Sequence, residues 1–412
     1  MSFTYVVLGA GRQGVAIAYD LARNGDAARV VLADVDPAVA QRAVERLERL
    51  LPEAAGRFTH AACDVADAAA VRRLLEGADV AVSAAPYRFN VGLTDAAIAA
   101  GCSLCDLGGN TGVVREQLAR HEAASSAGVS IVPDCGLAPG LGNHLAAHGV
   151  AALDEPRDVH VRCGGLPQRP VGPLGYKLLF HFQGLINEYS GAGEFLREGK
   201  LVQVPALTEL EPITFDLARG GGATGAAATG AARTGVLEAT GALEAAVTSG
   251  GTSTCPQTFL GRLRTYDYKT VRYPGHFAII RALFELGCFE DRVRLRDGSE
   301  IAPRPVVQRL MEERLAFPDV RDVVVLRVTV AGSHGGRPTE LRYDLVDWHD
   351  EATGFSAMER TTGFPTALVA HMQARKLVAR GARPLELSVP PVPFLAELPR
   401  HDIHVKLARG GG

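Results

Sequence analysis

Apolar and polar positions change period along this chain in an orderly way. Short β-branched runs recur through residues 1–133: FTYVVLG, ARVVLAD, GRFTHAAC, ADVAVSAA, GCSLCDLG and GVSIVPD. Between them lie Ala-, Leu- and Arg-rich stretches with helical spacing, such as PAVAQRAVERLERLL and AAAVRRLLEG. Strand and helix alternating in this way predict a parallel sheet with helices on both faces. Right-handed crossovers then make it a doubly wound α/β domain.

Beyond residue 134 the texture changes. Period-2 alternation appears in DVVVLRVTV and TELRYDLVDW, and GSHGGR between them reads as a hairpin connection. A second domain with a mostly antiparallel sheet is expected over 134–355. Residues 218–241 are low in complexity and lack large apolar residues, so a mobile surface insertion is expected there. Residues 356–384 read as a helix ended by Gly381 and Pro384. Residues 385–412 are Pro-rich and then Gly-rich, and read as a fraying tail.

Composition narrows the field. The 412 residues exceed what one core usually serves. A net charge of -3 and a pI near 6.5 argue against nucleic-acid or membrane-surface partners. No apolar run approaches the roughly 18 residues of a membrane span. The start, MSFTYVVLGAG, lacks a basic n-region and enters a strand directly. Seven cysteines are a sparse, odd count, which suits reduced thiols in a cytoplasmic protein.

The candidate chemistry begins at VVLGAGRQGVAIAYD. Gly9, Gly11 and Gly14 spell G-x-G-x-x-G between an apolar strand and a helix, the context that gives this motif its meaning. Gly9 permits the tight turn, Gly11 lets the backbone approach a pyrophosphate, and Gly14 lets helix and strand pack closely. Arg12 and Gln13 lie inside the motif, at the helix N-terminus that would hold the phosphates. Asp34 ends the second strand, twenty residues past Gly14, where an acid accepts from the adenosine ribose hydroxyls. A carboxylate there repels a 2′-phosphate and no adjacent Arg or Lys offsets it, so NAD is expected over NADP. Asp36 is the fallback acid for the ribose, and it also suits a helix cap before Pro37. Asp64 and Val65 follow the third strand, beside the expected adenine.

SAAPYRFN (residues 83–90) and CDLGGN (residues 105–110) lie at the carboxyl ends of later strands, where such sheets bind ligands. Ser83, Ala84 and Gly108 are expected at the nicotinamide and Asn90 at the substrate. Tyr87 is a candidate proton donor or relay, and Asp106 a candidate base or amine anchor; simple packing of Tyr87 and turn or capping duty for Asp106 are the plain alternatives. Cys102 and Cys105 form a C-x-x-C with no second pair at zinc spacing, and HLAAH, with His144 and His148, lacks the glutamate of a zinc-protease helix, so no metal site is expected.

With DLGGN, the segments VPDCGLAPGLGNHLA, RCGGLP, SGGTST and YKTVRYPGH make the chain resemble the saccharopine dehydrogenase-like family, and within it the bacterial lysine 6-dehydrogenases. The resemblance runs from Tyr5 to about Pro384 and is interrupted by the 218–241 stretch. It implies a Rossmann domain, an α+β domain over 134–355 for substrate binding and oligomerisation, and a C-terminal helix packed back on the first. It also implies a cytoplasmic homodimer or higher homo-oligomer that oxidises or reduces a carbon–nitrogen bond. For a lysine 6-dehydrogenase the reaction is removal of the ε-amino group of L-lysine. The rivals are reductive condensation of the saccharopine or carboxynorspermidine type, and a nucleotide-binding sensor without turnover. The substrate carboxylate needs a cation. Lys269, Arg272 and His276 are the candidates, with Thr252 and Ser253 as hydroxyl donors and Arg264 as a weaker option.

Overall fold

The computed structural model describes residues 2–215 and 242–411, so the expected insertion lies outside the described residues. The six apolar runs form strands β1 (Phe3–Leu8), β2 (Ala27–Asp34), β3 (Phe58–Ala62), β4 (Val80–Ser83), β5 (Ser103–Asp106) and β6 (Ser130–Val132). They pair in parallel in the order β6-β5-β4-β1-β2-β3. Helices α1 (Arg12–Asn24), α2 (Pro37–Leu50), α3 (Ala68–Leu75), α4 (Asn90–Ala100), α5 (Thr111–Leu118) and α6 (His121–Ala127) connect them. Burial on both faces explains the continuous apolar runs. The strand order reverses between β1 and β4, which opens a crevice at their carboxyl ends. Asp36 caps α2 by accepting from the Ala38 N–H, with Pro37 in the first turn.

After α7 (Leu141–Ala152) the chain builds a mixed sheet that is mostly antiparallel. Its strands are β7 (Glu155–Pro167), β8 (Ala192–Arg197), β9 (Lys200–Pro205), β10 (Glu211–Ile213), β11 (Leu243–Val247) and β12 (Thr265–Arg272), with α8 (Phe182–Tyr189) crossing before β8. A small pair, β13 (Val293–Arg294) and β14 (Glu300–Ile301), stands apart. The sheet resumes with β15 (Asp322–His334) and β16 (Arg337–Trp348), and β12 against β7 is its parallel pair. The β15–β16 hairpin turns at Gly335 and Gly336, with φ of 59° and 72°. Positive φ at both central residues gives the turn whose twist matches the strands.

The C-terminal region differs from expectation in two ways. The helix runs over Ala357–Ala374 and stops well before Gly381. Gly381 and Ala382 instead form β17, which extends the first sheet by pairing in parallel with β6. The tail does not fray: Lys406–Gly411 forms β18, antiparallel to β16. Strand pairing supplied by a distant partner overrides a composition that disfavours strands.

Helix Ala357–Ala374 is buried for most of its length and belongs to one apolar core shared by both sheets. Ser356 and Glu359 form a reciprocal capping box at its start. Arg12 Nε donates to Glu359 Oε1 at 2.6 Å, tying this helix to α1. At its far end the Gln373 amide donates to the Leu104 and Ser130 carbonyls of β5 and β6. The crevice therefore has a fixed floor.

Two glycines of the first turn separate packing from ligand access. A Cβ on Gly14 would lie 1.9 Å from the Gly9 carbonyl oxygen, whereas one on Gly11 would meet nothing within 4 Å. Gly14→Ala is expected to lose about 1–3 kcal/mol of stability in urea unfolding. Gly11→Ala is expected to keep its stability and lose dinucleotide affinity in calorimetry. Equal stability losses would contradict this division.

Candidate functional site

The crevice suits a dinucleotide. Gly9 has φ of 102°, a conformation that favours glycine. Helix α1 begins at Gly11 without a side-chain cap and without an acid in its first turn. Its free N–H groups and positive end are thus open to an anion. Asp34 accepts from Ala10 N at 2.9 Å and Asp36 N at 3.1 Å, which holds its carboxylate at the mouth. Val35 beside it is 69% exposed and brings no cation. Arg12 turns away to Glu359 and Ser356, and the Gln13 amide donates to the Met358 carbonyl, so both serve the junction helix. Asp64 closes its own turn by accepting from Ala66 N, and Val65 packs partly buried beside the sheet.

The loops after β4, β5 and β6 form the next layer. Ser83 Oγ donates to Asn90 Oδ1 at 2.8 Å, both buried, and this bond anchors the first loop. Ala84 presses its backbone against Gly9, 2.9 Å from where a Cβ would stand. Tyr87 is half-buried, and its hydroxyl accepts from Asn187 Nδ2 of α8 at 3.2 Å. Asp106 is fully buried and accepts from Gln117 Nε2 at 2.8 Å, Gly108 N at 2.7 Å and Asp134 N at 3.2 Å. Burial raises its pKa, and those three donors oppose the rise. Its oxygens hold the loops, which is the turn duty read as the plainer alternative.

Asp134, two residues past β6, lies in the VPDCGLAP segment, but the sequence alone assigns it no role. It is buried with φ of 59°, and it accepts from Ser253 Oγ. Burial, and next the Asp106 charge, push its pKa up to about 7. Neighbouring Thr254 donates to Glu386 Oε1 at 2.8 Å. Thr252 donates to the Glu194 carbonyl of β8 and its own carbonyl accepts from Asn143 of α7, so these bonds fasten the SGGTST loop within the second domain.

The far wall comes from β12 and α8. Arg272 donates from Nε to Tyr189 Oη at 2.9 Å and from Nη1 to the Val271 carbonyl at 3.0 Å. Its guanidinium lies 4.9 Å from the Tyr176 ring centroid, and Nη2 is 3.4 Å from Glu188 Oε2. His276 bridges the Leu174 carbonyl at Nδ1 and Tyr189 Oη at Nε2, at 3.0 Å and 2.8 Å. The carbonyl assigns the proton to Nδ1, so Nε2 accepts from Tyr189 and the tyrosine oxygen accepts from Arg272. Burial, and next the Arg272 charge, hold the His276 pKa down to about 3. The expected cation at His276 is therefore corrected: it is neutral and positions the arginine. Lys269 is three residues from Arg272 on one strand and so points to the other face. There its Nζ donates to Glu211 Oε2 and the Glu209 carbonyl, each at 2.7 Å. Arg264 is paired with Asp158. The structure thus brings Arg272 and His276 together and keeps Lys269 and Arg264 out of the cleft. Asn187, Glu188 and Tyr189 had no motif to announce them; parity along β12 would have separated Lys269 from Arg272.

Residues 5–132 match the saccharopine dehydrogenase NADP binding domain, and residues 136–403 match the saccharopine dehydrogenase C-terminal domain. The chain belongs to the saccharopine dehydrogenase family. Its curated relatives in this family include a saccharopine dehydrogenase [NADP(+), L-glutamate-forming] of Schizosaccharomyces pombe, 30% identical over 153 residues, or 35% of this chain and 32% of the relative. The mitochondrial alpha-aminoadipic semialdehyde synthase of Rattus norvegicus is 23% identical over 352 residues, 73% of this chain and 37% of the relative. The chain thus spans about a third of the length of these curated relatives. The apo saccharopine dehydrogenase (L-Glu forming) of Saccharomyces cerevisiae shares the fold, with a TM-score of 0.74 at 18% identity over 99% of this chain and 100% of that one. Among the described residues no helix is long and apolar enough to cross a membrane.

The Asp134 environment predicts a pH effect on stability. The unfolded chain ionises this carboxyl near 3.8, whereas the folded chain keeps its proton to about 7. Its contribution to stability is full below the lower value and is lost as pH rises through the upper one. Asp134→Asn removes that loss, so its stability relative to wild type should grow by about 1–4 kcal/mol between pH 4 and pH 7. Urea unfolding across that window measures the difference; a constant offset would contradict it.

Proposed function

We propose that this chain is an NAD-dependent oxidoreductase that removes the ε-amino group of L-lysine, releasing allysine and ammonia. One observation carries this reading. Of the candidate cations, Arg272 keeps terminal N–H donors unengaged beside Glu188 among the described residues, while Lys269 and Arg264 are bound to acids elsewhere and His276 is neutral. One cation suits a substrate with one carboxylate. The product of a saccharopine-type condensation carries more and calls for further cations. The names of the curated relatives favour that second reading, with NADP(H) and joining of an amine to a carbonyl. Asp34 supports NAD, because its carboxylate repels a 2′-phosphate and Val35 supplies no offsetting charge.

Gly9, Gly11, the α1 N-terminus and Asp34 would hold the dinucleotide, which when bound accepts the hydride from the substrate carbon. The protein's own task concerns the proton. An ammonium cannot release a hydride from its carbon, because the cation formed would have no lone pair to stabilise it. A lysine ammonium has a pKa of about 10.4, so deprotonation at pH 7 costs about 4.6 kcal/mol. The Tyr87 hydroxyl, oriented by Asn187, is the proposed relay for that proton. Arg272, fixed by Tyr189, holds the carboxylate at the opposite end of the substrate. A homo-oligomer joined through the second sheet completes the reading, and light scattering reads its mass.

NADH formation with L-lysine at pH 9–10, with ammonia measured beside it, tests the assignment. The rate should rise steadily from pH 6 to pH 10; a flat profile would count against amine oxidation. Oxidation of NADPH that needs both an amine and a carbonyl compound, with no ammonia, would favour the condensation. Arg272→Leu should raise the lysine KM by orders of magnitude and leave NAD affinity unchanged, and an unaltered KM would remove Arg272 from the role.

A further inference from the structure

Glu188 has no task in the reaction above, yet the wall is built around it. It sits near the end of α8, between Asn187, which orients Tyr87, and Tyr189, which orients Arg272. Its carbonyl accepts from Ser249 N at 2.8 Å, and Ser249 Oγ donates to the Asn187 carbonyl at 2.6 Å, so the helix end is pinned. Its side chain is 27% exposed beside an Arg272 side chain that is 3% exposed.

The pair is adjacent but not collapsed. Glu188 Oε2 stands 3.4 Å from Arg272 Nη2, longer than the roughly 2.7–2.9 Å of a tight charge-assisted bond. A guanidinium has five N–H donors. The bonds to Tyr189, Val271 and Glu188 engage three of them, which leaves donors on the terminal nitrogens among the described residues. Burial raises the Glu188 pKa to about 7 and the Arg272 charge opposes that rise, so the carboxyl ionises beside its cation, and the ionised pair is complementary to a small zwitterion. The head of an α-amino acid is one, with carboxylate and ammonium on neighbouring atoms.

We propose that Arg272 and Glu188 form a clamp for the α-amino-acid zwitterion, Arg272 taking the carboxylate and Glu188 the α-ammonium. This deepens the proposed function, on which it rests for the position of the site. Glu188 is then the residue that distinguishes a free amino acid from an amine or an acid of the same length.

Calorimetric binding to the full chain saturated with NADH, where the substrate cannot be oxidised, tests the clamp. L-Norleucine carries the amino-acid head and the lysine chain without the ε-amine, and hexanoate lacks the α-amine as well. Wild type should bind L-norleucine at least tenfold more tightly than hexanoate. Glu188→Gln should bring that ratio close to one and leave hexanoate binding unchanged, whereas Glu188→Asp should restore much of the preference. Arg272→Lys should weaken both ligands. Unchanged NADH affinity and circular dichroism establish that each variant is folded. The clamp is overturned if wild type binds neither ligand, if it does not discriminate, or if Glu188→Gln weakens both equally, since Glu188 then only positions Arg272. Norleucine discrimination without L-lysine oxidation would sink the ε-deamination reading and leave the clamp standing.

Discussion

The buried carboxylate of Asp106 is the constraint on which the site depends. A charge so placed is costly unless its oxygens are met by donors. Here they are met by Gln117 and by the backbone of Gly108 and Asp134. The two backbone donors belong to the loops after two neighbouring strands and Gln117 to α5, so satisfying one carboxylate sets both loops. Gly108 and Gly109 follow with φ of 76° and 125°, and a Cβ on Gly109 would stand 3.0 Å from the Tyr87 ring. The second loop turns Asp134 toward Ser253. The geometry of the first domain is thereby handed to the second.

The second domain answers with its own order. The Leu174 carbonyl, His276, Tyr189 and Arg272 form one directional chain of hydrogen bonds, and each donor faces an acceptor only if the imidazole is neutral. Such a network holds the guanidinium without neutralising it. Helix Ala357–Ala374 joins the two halves beneath the cleft, with Arg12 on Glu359 at one end and Gln373 under β5 and β6 at the other. Residues of the glycine motif thus serve the domain junction, Arg12 held by Glu359 and Gln13 by the Met358 carbonyl.

How much was legible follows from the range of the interactions. The six strands of the first sheet, the glycine turn, the Asp36 cap and the Gly335–Gly336 hairpin rest on local periodicity and backbone freedom, and these are written in adjacent residues. β17, of two residues, and β18, ending in glycines, exist because β6 and β16 offer free edges, and nothing in their own composition announces them. Asp106 reads as a candidate base or amine anchor and Asp134 is not singled out; burial and shared donors give the two carboxyls distinct states.

The sequence by itself determined the class of fold and the family, because hydrophobic period and glycine placement act over a few residues. Only the tertiary structure decided which charges face the cleft. Arg272 and Lys269 are near neighbours in the chain, but strand alternation sends them to opposite faces, where α8 supplies Tyr189 and Glu188 to the first and β10 supplies Glu211 to the second. Charge state and access depend on what is packed around a side chain, and that is set by residues far away in the chain.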